Sequence, residues 1–169
     1  LKDLIGTVRR VRGRKALVYV DAVQGAPYLD IDVGLLDADL LAIGAHKFEG
    51  PKGMGALWIR GGTAIMAQTH GGGQERYRRA GTENVASIVG LGKACEVAGE
   101  HLEHENTVVR AWRDTFENGV LEAIEGAQVN GDAERRLPNT SNLAFDGIDS
   151  EGALMLLDER GICCSAGSA

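Results

Sequence analysis

"DLLAIGAHKFEGPKGMGALWIR", residues 39–60, decides how this chain is read. The apolar run Leu40-Leu41-Ala42-Ile43 has the length and composition of a buried strand. It stops abruptly, and His46 and Lys47 follow at once. Gly50, Pro51, Gly53 and Gly55 then punctuate a turn, and a second apolar run covers Ala56 to Ile59. Upstream, "ALVYVD" reads as another buried strand, ending in Asp21. Short apolar strands alternating with helices predict an α/β fold with a largely parallel sheet. Such sheets bind ligands beyond the carboxyl ends of their strands. Asp21 and Lys47 both belong to that edge, and the glycines let the backbone turn back there without steric cost.

The rest of the chain extends this pattern. Leu1, Leu4, Ile5, Val8 and Val11 recur at helical spacing, so residues 1–13 form an amphipathic helix. "ADLLAIG" (38–44) and "GALWIR" (55–60) are the second and third strands. Helices are expected over 84–98 and 101–125. In the second, Leu102, Val108, Val109, Trp112, Phe116, Val120 and Ile124 form one apolar stripe. The order then changes. A strand "AQVN", a turn at Gly131-Asp132, a strand "TSNLAFDG", a helix from Ser150 to Arg160 and a closing strand "GICC" point to a second, α+β unit. The boundary is expected near residue 103, giving domains 1–103 and 104–169.

Composition narrows the function classes. The 169 residues are 44% hydrophobic and 25% charged, an ordinary globular balance. A formal net charge of -6 argues against nucleic-acid or anionic-membrane surfaces, which call for basic patches. No apolar run approaches the length of a membrane span. Three cysteines without CxxC spacing read as reduced thiols of a cytoplasmic protein. The start at "LKDL" and the stop at "GICCSAGSA" read as cuts through a longer protein.

Several motifs carry no chemistry. "HGGG" (70–73) has no GxSxG nucleophile elbow to serve. The glycines at 50–55 precede no GK[ST], so they form no Walker loop. His101 and His104 lie one helical turn apart, but among Glu100, Glu103 and Glu105 they read as a solvated face, and no metal site is expected. The vicinal Cys163-Cys164 reads as a buried strand end, where thiols would titrate high. The Asp21–Lys47 pair does better. A lysine at a strand end can attach a carbonyl cofactor, and a neighbouring carboxylate can pair with a pyridinium nitrogen. Gln24, one short turn after Asp21, can donate a hydrogen bond to the same ligand.

"VDAVQGAPYLDIDV" (20–33), "GAHKFEGPKGMGALWIR" (44–60) and "HGGGQERYRRAGTENVASIVGLGKA" (70–94) together resemble the cysteine desulfurases. These are class V aminotransferases of the fold-type I group, closest here to the branch serving iron–sulfur assembly and tRNA thiolation. The likeness runs on through "NGD", "LPNTSNLAF" and "CSAGSA". It implies a segment of the large domain, with a mostly parallel sheet and helices, followed by part of a small α+β C-terminal domain. It implies pyridoxal 5'-phosphate as cofactor and Lys47 as the lysine that carries it. By the same resemblance Asp21 holds the ring nitrogen protonated, Gln24 bonds the phenolic oxygen and His46 reaches the phosphate. Thr82 reaches the phosphate of a neighbouring subunit, which implies a homodimer.

The implied reaction takes L-cysteine to L-alanine. An enzyme cysteine accepts the sulfur as a persulfide and passes it to an acceptor protein, a scaffold or a tRNA thiolase. A selenocysteine lyase and a non-catalytic assembly module are the alternatives on the same fold. One residue departs from the pattern: Gly44 stands where these enzymes usually have serine, so one side-chain phosphate contact is missing. In these enzymes a mobile loop like Ser165–Ala169 leads into the nucleophilic cysteine, so a cysteine is expected directly after Ala169. On that expectation this chain, taken alone, is inactive.

Overall fold

The computed structural model describes residues 1–166. Two compact units divide after Asn106, and each is described by itself.

The first unit opens with α1 (Lys2–Arg12), whose buried Ile5 is only 2% exposed. Asp3 lies in its first turn and Arg9, Arg10 and Arg12 in its last, complementing the helix dipole. Gly13, at φ 56, ends it, as glycine does where the backbone turns left-handed. Strand β1 (Tyr19–Asp21) then pairs in parallel with β2 (Leu40–Gly44), with Tyr19 opposite Leu40 and Asp21 opposite Ala42. The connection carries the single turn α2 (Val33–Leu36), capped by Asp32, whose Oδ1 accepts from Gly34 N at 2.7 Å and Leu35 N at 3.1 Å.

Strand β3 (Gly55–Ile59) pairs with β2 in the opposite sense. The sheet is therefore mixed, not largely parallel. The segment between β2 and β3 is too short for a crossover and reverses the chain in place. All three strands are shorter than the segments expected, 16–21, 38–44 and 55–60. Before β1, the Val18 carbonyl accepts from Asp39 N at 2.9 Å and Leu40 N at 3.2 Å, while the Val18 N–H donates to the Asp39 side chain at 2.8 Å.

Ile5, Val20, Ala22, Ala38 and Leu41 form the core between α1 and the sheet, with Trp58 packed on it. A second cluster, Ala45, Phe48 and Leu91, joins the segment after β2 to α4 (Val85–His104). Their approach is close: a Cβ on Gly90 of α4 would stand 2.7 Å from Pro51 Cγ. Ahead of α4, the turn α3 (Gln74–Tyr77) holds Glu75, Arg76 and Tyr77 at positive φ. Asn84 caps α4, accepting from Ser87 N at 3.2 Å.

Two separate helices were expected over 84–98 and 101–125. Instead α4 runs through Gly99, and a π turn (Glu105–Val109) leads directly into α5 (Arg110–Ala123). A lone glycine costs a helix interior about 1 kcal/mol and does not break it.

In the second unit α5 is followed by the antiparallel pair β4 (Ala127–Val129) and β5 (Leu143–Phe145), then α6 (Ser150–Asp158). The apolar stripe read for α5 does not form its buried face: Trp112 is 65% exposed and Phe116 54%. The buried residues are Arg113 and Glu117. Arg113 donates to the Leu137 carbonyl at 2.8 Å, and Glu117 takes both terminal nitrogens of Arg136. Those bonds favour packing of the polar face on residues 136–138, which periodicity alone does not reveal. Arg136's hydrogen bond, against the opposing effect of burial, holds the Glu117 carboxyl below the usual glutamate range, with the Ser141 side chain helping.

"GICC" is likewise not a strand. Gly161, at φ 76, closes α6, and Cys163 and Cys164 follow as exposed coil, with no strand pairing among the described residues. The expectation of buried thiols there is corrected with it. The end of the Ser165–Ala169 loop lies outside the described residues.

Candidate active site

Parallel pairing puts the carboxyl ends of β1 and β2 on one edge of the sheet. The ladder runs one step past β1, where Ala22 N donates to Ala42 O at 2.9 Å. Asp21 thus ends one strand beside the neighbour that delivers Gly44, Ala45, His46 and Lys47.

The chain then turns over Ala22, whose carbonyl accepts from Gly25 N at 3.0 Å and Ala26 N at 2.8 Å. Asp21 Oδ1 accepts from Val23 N at 3.0 Å, a local turn bond. Its other carboxylate oxygen has no protein partner among the described residues. Gln24 is exposed on this turn.

After β2, Ala45–Lys47 form a single 3-10 turn. Ala45 anchors it completely buried: its N–H donates to Met54 O at 3.0 Å, and its carbonyl accepts from Phe48 N at 3.1 Å and Gly50 N at 2.9 Å. Gly50 is required here, since a Cβ would stand 2.7 Å from Ala45 Cβ. A glycine at 50 lets the chain fold back tightly under the buried Ala45, which fixes the base of Lys47.

Lys47 is half-buried and His46 exposed. Among the described residues, neither side chain has a hydrogen bond or ion pair. With no side-chain partner among the described residues, the Lys47 amine at this strand end is available to a carbonyl. The His46 ring and the Val23 side chain both approach within 3.2 Å of where a Cβ on Gly44 would stand. The ring therefore lies against the turn that follows Asp21.

The fold brings Asp21, Gln24, His46 and Lys47 to one edge. Thr82 is exposed in the loop before α4, with no bond to the other four among the described residues. A cavity of about 360 Å³ lies elsewhere in this unit, lined by Leu41, Ile43, Phe48, Trp58 and Leu102 among others, and none of the four residues lines it. No cluster of three or more His, Cys, Asp or Glu positioned for a metal ion occurs among the described residues.

Sequence reasoning missed the residues that hold β2 in place. Asp39, just before the strand, accepts from Arg9 Nη2 at 2.6 Å and from Val18 N at 2.8 Å. Arg14 and Arg60 flank the same carboxylate and Asp37. The acidic pair Asp37-x-Asp39 is visible in the sequence, but its arginines lie more than twenty positions away on either side.

The profile of the family described as Aminotransferase class-V matches residues 1–169. The chain belongs to the class-V aminotransferases. Within that family, a cysteine desulfurase of Gluconacetobacter diazotrophicus is 49% identical over 154 residues, which cover 91% of this chain and 38% of that protein. The cysteine desulfurase NifS of Azotobacter vinelandii is 48% identical over 153 residues, covering 90% and 38%. The solved structure of a NifS-like protein matches with a TM-score of 0.85 at 37% identity, covering 95% of this chain and 43% of that one. The resemblance read from the motifs is borne out, as is the α/β fold class. The chain spans 38% of the length of the two curated relatives.

Class-V aminotransferases depend on pyridoxal phosphate. The residues present fit that group. An available carboxylate oxygen, an unpaired imidazole and an unpaired, half-buried amine share one strand edge, which is the donor set a protonated pyridine, a phosphate and a carbonyl require.

Proposed function

We propose that the whole protein is a pyridoxal-phosphate-dependent cysteine desulfurase, converting L-cysteine to L-alanine. One observation carries the reading: an unpaired Lys47 follows the strand that pairs in parallel with the one ending in Asp21, in a chain whose relatives are named cysteine desulfurases. When bound, the cofactor supplies an electron sink for bonds broken at the substrate's Cα and Cβ.

The protein's own residues do the rest. Lys47 attaches the cofactor and, once released, carries the proton at the substrate Cα. Asp21 offers its free oxygen to the ring nitrogen and keeps the proton there, because an adjacent anion favours the charged form. Gln24 donates to the phenolic oxygen, and His46 to the phosphate. Thr82 reaches the phosphate of a second subunit's cofactor, and a homodimer is part of the proposal. An enzyme cysteine takes the sulfur as a persulfide, for delivery to an iron–sulfur scaffold or a tRNA thiolase.

The first unit then belongs to the large, cofactor-binding domain and the second to the small C-terminal domain. The free cysteines Cys95, Cys163 and Cys164 suit a reducing, cytoplasmic compartment. No helix among the described residues is long and apolar enough to cross a membrane.

The test is direct. The purified whole protein, loaded with pyridoxal phosphate and given L-cysteine and a thiol reductant, is expected to release alanine and sulfide in equal amounts. Loading without either product would contradict the proposal.

A further inference from the structure

We infer that Gln74 is a positioning residue for Thr82: by holding the Gly81 N–H, it fixes the backbone that presents Thr82 to the cofactor phosphate of a second subunit. The inference rests on the dimeric cofactor reading above.

Residues 69–81 close on themselves before α4 begins. Ala80 N donates to Thr69 O at 3.2 Å, so the two ends of the loop meet. Ala80 is buried there, and a Cβ on Gly71 would stand 3.2 Å from its Cβ. The next residue, Gly81, donates its N–H to Gln74 Oε1 at 3.2 Å. Gln74 is half-buried, while Gly73 and Glu75 on either side of it are exposed. Its side chain folds back along the loop, with Oε1 2.5 Å from where a Cβ on Gly72 would stand. Gly81 sits at φ 110, in the region that favours glycine, and leads straight into Thr82. Thr82 is exposed and has no hydrogen bond among the described residues.

The loop does not owe its shape to local preference. Glu75, Arg76 and Tyr77 follow one another at φ 49, 57 and 62, a left-handed run that is costly for residues with side chains. Bonds across the loop hold it in that shape. Thr69–Ala80 closes the base, and Gln74–Gly81 ties the residue that opens the strained run to the residue that precedes Thr82. Without the Gln74 carbonyl the run is free to relax, and Gly81 loses the bond that sets its orientation. Thr82 then loses its place with it.

The test uses mixed dimers of the whole protein, purified through two different tags. It reads the dissociation constant for pyridoxal phosphate from the absorbance of the lysine-bound cofactor, which only a subunit with Lys47 gives. Gln74→Met keeps the length of the side chain and removes its carbonyl. When a wild-type subunit is paired with one carrying Lys47→Ala and Gln74→Met, the reporting site takes Thr82 from the altered loop. Binding there is expected to weaken about three- to tenfold, the loss of one neutral hydrogen bond. When a Lys47→Ala subunit is paired with a Gln74→Met subunit, the reporting site takes Thr82 from an intact loop, and wild-type affinity is expected. With Thr82→Val added to the altered loop of the first pairing, Gln74→Met is expected to cause no weakening beyond that of Thr82→Val itself. Equal affinity in the two pairings, or weakening by Gln74→Met in the absence of Thr82, would overturn the inference. So would a Gln74→Met chain that fails to dimerise, because Gln74 would then belong to the scaffold. A wild-type protein that is monomeric, or that does not bind pyridoxal phosphate, ends the reading on which the inference rests. A wild-type dimer that loads normally while the two pairings agree ends the inference alone.

Discussion

Replacing Asp39 with asparagine probes the base of the strand that delivers the site. Asp39 is 4% exposed. Its Oδ2 accepts from Arg9 Nη2 at 2.6 Å and Val18 N at 2.8 Å, while Arg14 Nη1 stands 3.5 Å and Arg60 Nε 3.9 Å from Oδ1. Asparagine keeps the shape and one acceptor oxygen, so the Val18 bond survives. It removes the charge and turns amide protons toward arginines.

Removing one partner of a buried ion pair costs about 3–5 kcal/mol when the other charge is stranded. Arg9 is not stranded, because it still donates to the Ala16 and Asp37 carbonyls, each at 2.8 Å. The expected loss is therefore about 2–3 kcal/mol, near the value of a hydrogen bond to a charged group. It is read from urea unfolding at pH 7.

Acid sharpens the test. Burial by itself would raise the Asp39 pKa, but the Arg9 bond, the Val18 N–H and the charges of Arg9 and Arg14 together hold it below the ordinary value. A carboxyl depressed by folding stabilises the protein above its unfolded pKa, about 4, and that contribution disappears as pH falls through the folded value. The gap between wild type and Asp39→Asn should therefore be full at pH 6–7 and close progressively below about pH 4. A gap under about 0.5 kcal/mol at pH 7, the range of an ordinary surface substitution, would refute the reasoning, as would a gap unchanged in acid.

Two further substitutions separate scaffold from chemistry. Asp21→Asn keeps the acceptor for Val23 N, so thermal stability should be unchanged in a melting scan while cysteine turnover falls by more than tenfold. Near-normal turnover would make Asp21 only a turn cap. Gly50→Ala forces a Cβ to within 2.7 Å of the buried Ala45 Cβ and should cost about 1–3 kcal/mol in urea unfolding, with loss of cofactor loading as the Lys47 turn shifts.

The site was legible because its residues cluster in sequence at strand ends. Asp21 and Gln24 follow one apolar run, and His46 and Lys47 follow the next, so their places at strand ends could be read from the runs themselves. The sense of β3 was not legible from apolar content. It follows from the tight return through Gly50 and Gly53, which periodicity does not register. The stripe Val108–Trp112–Phe116 gave helical backbone but the wrong bounds and the wrong buried face, because the bonds of Arg113 and Glu117 depend on residues 136–137, some twenty positions on. The clamp on Asp39 was invisible for the same reason.

Everything functional turns on Lys47 being the lysine that carries the cofactor. Lys52, in the same Gly-rich turn, is its competitor. The decisive measurement is borohydride reduction of the loaded whole protein, followed by proteolysis and mass spectrometry of the peptides covering residues 39–60. The expected result is the reduced pyridoxyl-phosphate mass on Lys47, with Lys52 unmodified and no such adduct in Lys47→Ala. The adduct on Lys52, or on a lysine outside this stretch, would contradict it.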